Sequence, residues 1–105
     1  NRDVADIELD IQDLIWDKVN EPHIRQKHHV SRADVEEVAY GPASELYVRG
    51  TYSNRYFVTG PKADGALLVL ILAPKDRGRY YPVTAYEADN KDRREYYQWK
   101  AEQQR

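Results

Sequence analysis

The middle of the chain consists of four segments rich in Val, Leu, Ile, Thr and Tyr, and turn residues separate them. The segments are residues 46–50, 54–59, 66–73 and 79–86, with Gly50 and Gly/Pro-containing runs at 60–65 and 74–78 between them. Turn residues at this spacing are typical of an antiparallel β-meander of three to four strands. The third segment is apolar without alternation, which predicts a central strand covered on both faces.

Helical patterns flank this meander on both sides. Residues 18–28 and 32–39 have apolar side chains at helical spacing, and residues 89–102 form a polar helical pattern after the last strand. Asp17 or Asn20 can cap the first helix, and Ser31 with Asp34 resembles a capping box for the second. Asp89 or Asn90 can cap the third. Residues 7–16 partly alternate and favour a short strand. The sequence therefore predicts an α+β fold with two N-terminal helices, the meander and a C-terminal helix.

Composition limits the function classes open to such a fold. The 105 residues fit a single domain, 1–105, and the chain has no apolar run near the ~18–20 residues of a membrane span. The absence of cysteine excludes a disulfide framework and a thiolate nucleophile, and it fits a reducing cytoplasm. The net charge of −2 is unevenly distributed along the chain. Residues 1–21 have two basic and seven acidic residues, whereas the remaining residues have fourteen basic and eleven acidic ones. We interpret the acidic segment 1–13 as solvated; the alternatives are packing over a basic surface of the same chain and repulsion of phosphate at one edge.

An ordered set of short motifs then carries a resemblance over about residues 14–97. The set comprises Trp16-Asp17-x-x-Asn20-x-x-His23-Ile24-x-x-Lys27-His28-x-Val30-Ser31, Asp34-Val35-Glu36-Glu37-Val38, Arg55-Tyr56, Gly60, Gly65, the strand 67–73, Gly78-Arg79-Tyr80-Tyr81-Pro82-Val83-Thr84-Ala85 and Arg93-Arg94-x-Tyr96. This set resembles the BrnT family of bacterial type II toxin–antitoxin systems. The resemblance implies a RelE-like fold, cofactor-free RNA cleavage that inhibits translation and growth, and neutralisation by a ribbon-helix-helix antitoxin (BrnA-like). It also implies a dimer, or a heterotetramer with that antitoxin. The chain departs from the family pattern at His29, where Gly is usual, and at Tyr86, where Arg is usual.

Three histidines supply the groups that metal-free RNA cleavage needs. The reaction takes a base for the 2′-hydroxyl, a cation for the phosphate and an acid for the leaving oxygen. His23, His28 and His29 lie within seven residues of each other, beside Arg25 and Lys27. We predict His23, Lys27 and His28 as catalytic, because His titrates near neutral pH. The alternatives are a hydrogen-bonding role for His23 and helix-end roles for the other two. The spacing lacks the paired ligands of a metal site.

A second candidate surface combines arginine and tyrosine in the late hairpin and the last helix. This combination contacts phosphate and stacks on unpaired bases, which suits RNA. The predicted catalytic residues here are Arg79, Tyr81 and Arg93, and the predicted RNA-binding residues are Arg25, Arg77, Tyr80, Arg94 and Tyr97. Arg93 and Arg94 could instead pair with nearby acids on an exposed face. Most of the other tyrosines are expected in the core, on the sheet or at an interface: Tyr40, Tyr47, Tyr52, Tyr56 and Tyr86.

The sequence is compatible with three functional hypotheses. The first is an endoribonuclease toxin that acts on RNA in the cytoplasm without a metal or cofactor. The second is a RelE-fold binding module with weak catalysis, whose main activity is to form a complex with its antitoxin; Tyr86 and the acidic net charge favour this one. The third is an unrelated α+β domain that binds a small molecule or a protein.

Overall fold

The computed structural model describes residues 7–104, so residues 1–6 of the predicted acidic segment lie outside the described part. The described chain forms a mixed α+β structure whose elements follow the predicted order. The strands are β1 (Asp13–Leu14), β2 (Tyr47–Thr51), β3 (Tyr56–Pro61), β4 (Leu67–Pro74) and β5 (Arg79–Glu87); the helices are α1 (Asn20–His28), α2 (Arg32–Ala39) and α3 (Asn90–Gln103), with a 3₁₀ turn at Ala43–Glu45. Within this part of the chain, the longest helix has 14 residues, and no helix has the length and hydropathy of a transmembrane span.

The strands form one sheet in the order β1-β5-β4-β3-β2. Strands β2 to β5 are antiparallel neighbours, which confirms the predicted meander with four strands. The predicted strand over residues 7–16 is wrong in its extent, since only Asp13–Leu14 pairs, and it pairs in parallel with the start of β5. The first helix begins at Asn20 rather than Lys18, because Asp17 accepts the backbone N–H groups of Val19 and Asn20 and forms a turn ahead of the helix.

The central strand β4 is buried on both faces at its start, as its apolar sequence predicts. Leu68, Leu70 and Leu72 belong to the core beneath α1 and α2. Leu67 and Val69 belong to a second core on the opposite face, where Tyr96 and Trp99 of α3 pack. We call this second face the α3 face. Because α3 contacts mainly β2 and β3, the α3 face of β4 and β5 is only partly covered, and Ile71, Val83 and Thr84 are half-exposed there.

Capping chemistry fixes where the helices begin and end. Ser31 and Asp34 form the predicted capping box of α2, and Asp89 with Asp92 forms the same arrangement at α3. At the end of α1, His29 adopts the left-handed conformation, with φ 58° and ψ 33°. This is the conformation for which helix C-termini usually select Gly, so His29 performs the backbone role of that Gly. The exit from α1 is therefore a normal left-handed cap, formed by a residue with a side chain.

A β-bulge in β5 determines which side chains face the candidate site. Ile71 pairs with Thr84 and the next residue, Leu72, pairs with Pro82, so Val83 is the extra residue. Ala73 pairs with Tyr81 and lies on the same face as Ile71. Tyr81 and Thr84 therefore share the α3 face although they are three residues apart.

Candidate active site

Helix α1 lies along the edge of β5 that β1 leaves uncovered, and Asn20 attaches it there. The side chain of Asn20 is 2% exposed. Its amide group donates hydrogen bonds to the carbonyl oxygens of Ile15 (2.9 Å) and Pro82 (3.1 Å), and its oxygen accepts from the N–H of Asp17 (2.9 Å). Asn20 thus joins the start of the helix to the middle of the strand. This contact sets the position of the histidines that follow on α1.

His23 and His28 face each other at the end of α1, beside β5. Their ring centroids are 5.6 Å apart and their planes are nearly perpendicular. Nε2 of His23 lies 3.4 Å from Oγ1 of Thr84, and the ring of His28 lies 5.8 Å from the ring of Tyr86. Positions five apart point in different directions on a helix, yet the two rings are in contact here, where His28 is the last residue of α1.

The electrostatic environment of His28 favours its neutral form. Burial lowers the pKa of His28 below its ordinary value, and the positive charges of His23, Lys27 and His29 lower that pKa further. A neutral imidazole at neutral pH has a free nitrogen lone pair and can accept a proton. Among residues 7–104, Lys27 makes no ion pair, so its ammonium group next to His28 in sequence is available to an anionic ligand.

Tyr81 is held at the other end of α1 by Asp17. Its hydroxyl group donates a hydrogen bond of 3.0 Å to Oδ2 of Asp17. Burial and this carboxylate raise the pKa of Tyr81, so the phenol stays protonated at neutral pH. The backbone N–H groups of Asn20 and Val19 lower the pKa of Asp17, so it stays ionised. Tyr81 therefore presents a fixed hydroxyl on the same sheet face as Thr84.

The structure gives the other predicted site residues partners other than the paired histidines. Arg79 pairs with Asp76 at 2.6 Å, and Arg25 pairs with Glu21 at 2.7 Å. Tyr80 lies on the opposite face from Tyr81, with its ring 6.2 Å from that of Tyr56. It therefore does not face the histidines.

The predicted residues on α3 and in the late turn are also separate from the histidines. Arg93 donates to the carbonyl oxygen of Ala88 at 2.7 Å and to Asn90. Arg77, Arg94 and Tyr97 are exposed. Within residues 7–104, no hydrogen bond, ion pair or ring contact joins these side chains to His23 or His28.

Two residues of this site were not among the predicted site residues, although Asn20 was a candidate cap and both lie within the family motifs. Thr84 contacts His23, and Asn20 positions the helix. Strand alternation from Tyr86 points to Thr84 as a residue on the same face. No comparable local pattern points to Asn20, because its partner Pro82 is 62 positions away in sequence. Over residues 7–104, no cluster of three or more His, Cys, Asp or Glu side chains is arranged to hold a metal ion.

Comparisons with known proteins agree with this fold at the level of three-dimensional structure. No model of a protein family matches the chain, and no curated protein sequence matches it. Among solved structures, the chain is similar to the crystal structure of the Brucella abortus ribonuclease toxin BrnT, with a TM-score of 0.60 and 19% sequence identity. The match covers 74% of this chain and 97% of BrnT. The chain therefore has the fold of BrnT, which confirms the resemblance seen in the sequence at the level of the fold.

Proposed function

We propose that this chain is the toxin of a type II toxin–antitoxin pair and acts as a metal-independent endoribonuclease that inhibits translation. The fold shared with a ribonuclease toxin supports the class of function. The observation that carries the catalytic part is the facing pair of His23 and His28, beside Thr84 and Tyr86 on the open sheet face. Two titratable rings on one surface supply both proton transfers of RNA cleavage.

The proposed mechanism gives each group one step. Neutral His28 takes the proton of the 2′-hydroxyl, whose oxygen attacks the adjacent phosphorus. Protonated His23 gives its proton to the 5′-oxygen as the bond between phosphorus and that oxygen breaks, leaving a 2′,3′-cyclic phosphate. Lys27 stabilises the negative charge on the phosphate. The hydroxyl oxygen of Tyr81, whose hydrogen is donated to Asp17, accepts a hydrogen bond from a hydroxyl group of the substrate. Arg79 and Arg93, which were predicted as catalytic, have partners of their own, and we propose that they bind RNA outside the histidine pair.

The proposal includes a protein partner and a cellular location. The antitoxin is expected to be a ribbon-helix-helix protein similar to BrnA, which forms a heterotetramer with the toxin and blocks its RNA site. The resemblance in sequence and the fold match to a toxin support this partner. The RNA substrate and the absence of cysteine support a cytoplasmic location.

The test uses purified chain, a 5′-labelled RNA and a chelator of divalent metals. Cleavage should persist in the chelator and leave 2′,3′-cyclic phosphate ends. His23→Ala and His28→Ala should each lower kcat by about 10²–10⁴. His29→Gly is the matched control, since it removes the third histidine of the cluster while suiting the left-handed backbone at that position. Cleavage at the normal rate by the His23→Ala/His28→Ala double variant would overturn the site.

Tyr86 favours a second candidate function. The family resemblance implies Arg at this position, but the ring of Tyr86 lies beside His28 and brings no positive charge. The alternative is a binding module with weak catalysis that mainly forms the antitoxin complex. Expression of the chain alone should arrest growth if it is an active toxin. No arrest, together with a new cleavage activity in Tyr86→Arg, would favour the binding module.

A further inference from the structure

Two tight turns lie at the same end of the sheet, away from the start of α3. One turn joins β2 to β3 and contains residues 52–55; the other joins β4 to β5 and contains residues 75–78. Because β2 to β5 are antiparallel neighbours, their first and third turns must lie at one end. The contact between the rings of Tyr56 and Tyr80, 6.2 Å apart, joins the bases of the two hairpins.

The first of these turns holds an aromatic and a basic side chain in a fixed pair. Tyr52 and Arg55 exchange both backbone hydrogen bonds, at 3.0 and 3.1 Å. The two residues between them, Ser53 and Asn54, have φ of 55° and 59°, as in a type I′ turn. Tyr52 is 75% exposed and is the most exposed of the large apolar side chains in the described part of the chain. An exposed tyrosine beside an arginine, on a backbone held by these hydrogen bonds, is suited to stack on an unpaired base.

Three cations without an ion-pair partner lie at these turns. Arg55, Lys75 and Arg77 are exposed, and none of them makes an ion pair within residues 7–104. The fourth cation, Arg79, is already neutralised by Asp76. In a chain with a net charge of −2, three unpartnered cations at one end of the sheet form a local site for an anion.

The turns are continuous with the face that carries the histidine pair. Ala73 and Ile71 of β4 lie on the α3 face, and Lys75 follows in the same alternation. Ile71 is the partner of Thr84, which contacts His23. At 3.3 Å per residue, the four positions from Ile71 to Lys75 span about 13 Å. A strand of several nucleotides can therefore reach from the histidines to the turns.

We propose that the two turns form a distal anchor for single-stranded RNA, and we call these residues, Tyr52, Arg55, Lys75 and Arg77, the turn-end anchor. The three cations bind backbone phosphates, and Tyr52 stacks on one unpaired base. The anchor rests on the proposed function because it extends the path of the same RNA. The exposed tyrosine and the continuity with the histidine face favour RNA over an acidic protein segment as the occupant.

The first test measures binding of a fluorescent oligouridine of about 12 nucleotides at several salt concentrations. The double variant Arg55→Ala/Lys75→Ala should lower the salt dependence of log affinity by about 1.4 and weaken binding severalfold. The matched control, Arg32→Ala/Lys91→Ala, removes the same charge from exposed positions on α2 and α3. Equal affinities and equal salt dependences of the two double variants would overturn the anchor.

The second test separates stacking from charge. Tyr52→Ala should weaken oligouridine binding about tenfold, Tyr52→Phe should restore it, and a duplex RNA should not distinguish the two variants. Failure of Tyr52→Phe to restore binding would refute the stacking role.

The two proposals can fail separately. If the chain binds RNA through the turn-end anchor but does not cleave it, the anchor proposal is supported and only the catalytic proposal is refuted. If Arg55→Ala/Lys75→Ala retains full RNA affinity but loses the antitoxin, the occupant is a protein and the anchor proposal is wrong.

Discussion

Replacement of Asn20 by alanine removes the side chain that joins α1 to β5. Three hydrogen bonds disappear, to Asp17, Ile15 and Pro82, and the carbonyl oxygen of Pro82 is left without this partner in a buried place. With about 1 kcal/mol for each bond, the free energy of unfolding should fall by about 3 kcal/mol. For a domain near 100 residues, this lowers Tm by roughly 12–24 °C.

Urea unfolding followed by tryptophan fluorescence measures this loss. Gln26→Ala is the matched control, because Gln26 is exposed on the same helix and its replacement should change stability by less than about 0.5 kcal/mol. A loss below about 1 kcal/mol in Asn20→Ala would refute the reasoning, since a single net hydrogen bond has that value. In the fraction that remains folded, RNA cleavage should also fall, because His23 is no longer held next to Thr84.

Asn20→Asp tests the direction of the hydrogen bonds rather than their number. The new carboxylate would face the carbonyl oxygens of Ile15 and Pro82, which now accept from the amide. Burial and these oxygens should raise the pKa of the carboxyl group above its unfolded value of about 3.9. A group with a raised pKa in the folded state loses its stabilisation as pH rises, so the deficit relative to the wild type should be larger at about pH 8 than at about pH 5. Equal deficits at the two pH values would contradict this geometry.

Three further substitutions test packing, backbone conformation and protonation. Gly60→Ala places its Cβ 2.6 Å from Cδ2 of Leu46 and should cost about 1–3 kcal/mol in urea unfolding, whereas Gly50→Ala meets nothing within 4 Å and should cost much less. His29→Gly should raise the free energy of unfolding by about 0.5–1 kcal/mol, because the backbone there is left-handed; a lower Tm would contradict this reading. The lowered pKa of His28 means that the unfolded chain binds its proton more tightly, so stability should fall between about pH 7 and pH 5. His28→Asn should flatten that part of the pH profile, and an unchanged slope would show that other groups cause it.

Local signals in the sequence predicted the elements of this fold well. The capping box of α2 depends on Ser31 and Asp34, which are three residues apart, and the side-chain chemistry at that distance is sufficient to define a helix start. The same holds for Asp89 at α3. The apolar run of β4 predicted that both faces of this strand are buried, because a strand with one solvent-exposed face would alternate apolar and polar residues. Each of these features is determined by neighbours in sequence.

Features that depend on distant pairing could not be predicted in this way. The bulge at Val83 arises from the register between β4 and β5, and no residue type marks it unambiguously. The contact of His23 with Thr84 joins positions 61 apart. From their spacing, His23 and His28 could meet one substrate only if the helix ended near His28. In the structure α1 does end there, and the next residue, His29, is left-handed. The family resemblance supplied the order of the elements, but not these contacts.

Apart from Lys27, the groups proposed to hold phosphate lie away from the groups proposed to transfer protons. The histidine pair lies on α1, whereas Arg55, Lys75 and Arg77 lie at the turns. Along β4, the span from Ile71, the partner of Thr84, to Lys75 is about 13 Å. Tyr86 adds no cation between them. If both proposals hold, substitutions of the two groups must act on different kinetic constants: His28→Ala lowers kcat, whereas Arg55→Ala raises KM for long RNA and leaves short RNA unaffected. If Arg55→Ala lowers kcat equally on long and short RNA, the turns act on the chemical step. The proposal that the turns only bind RNA would then be wrong.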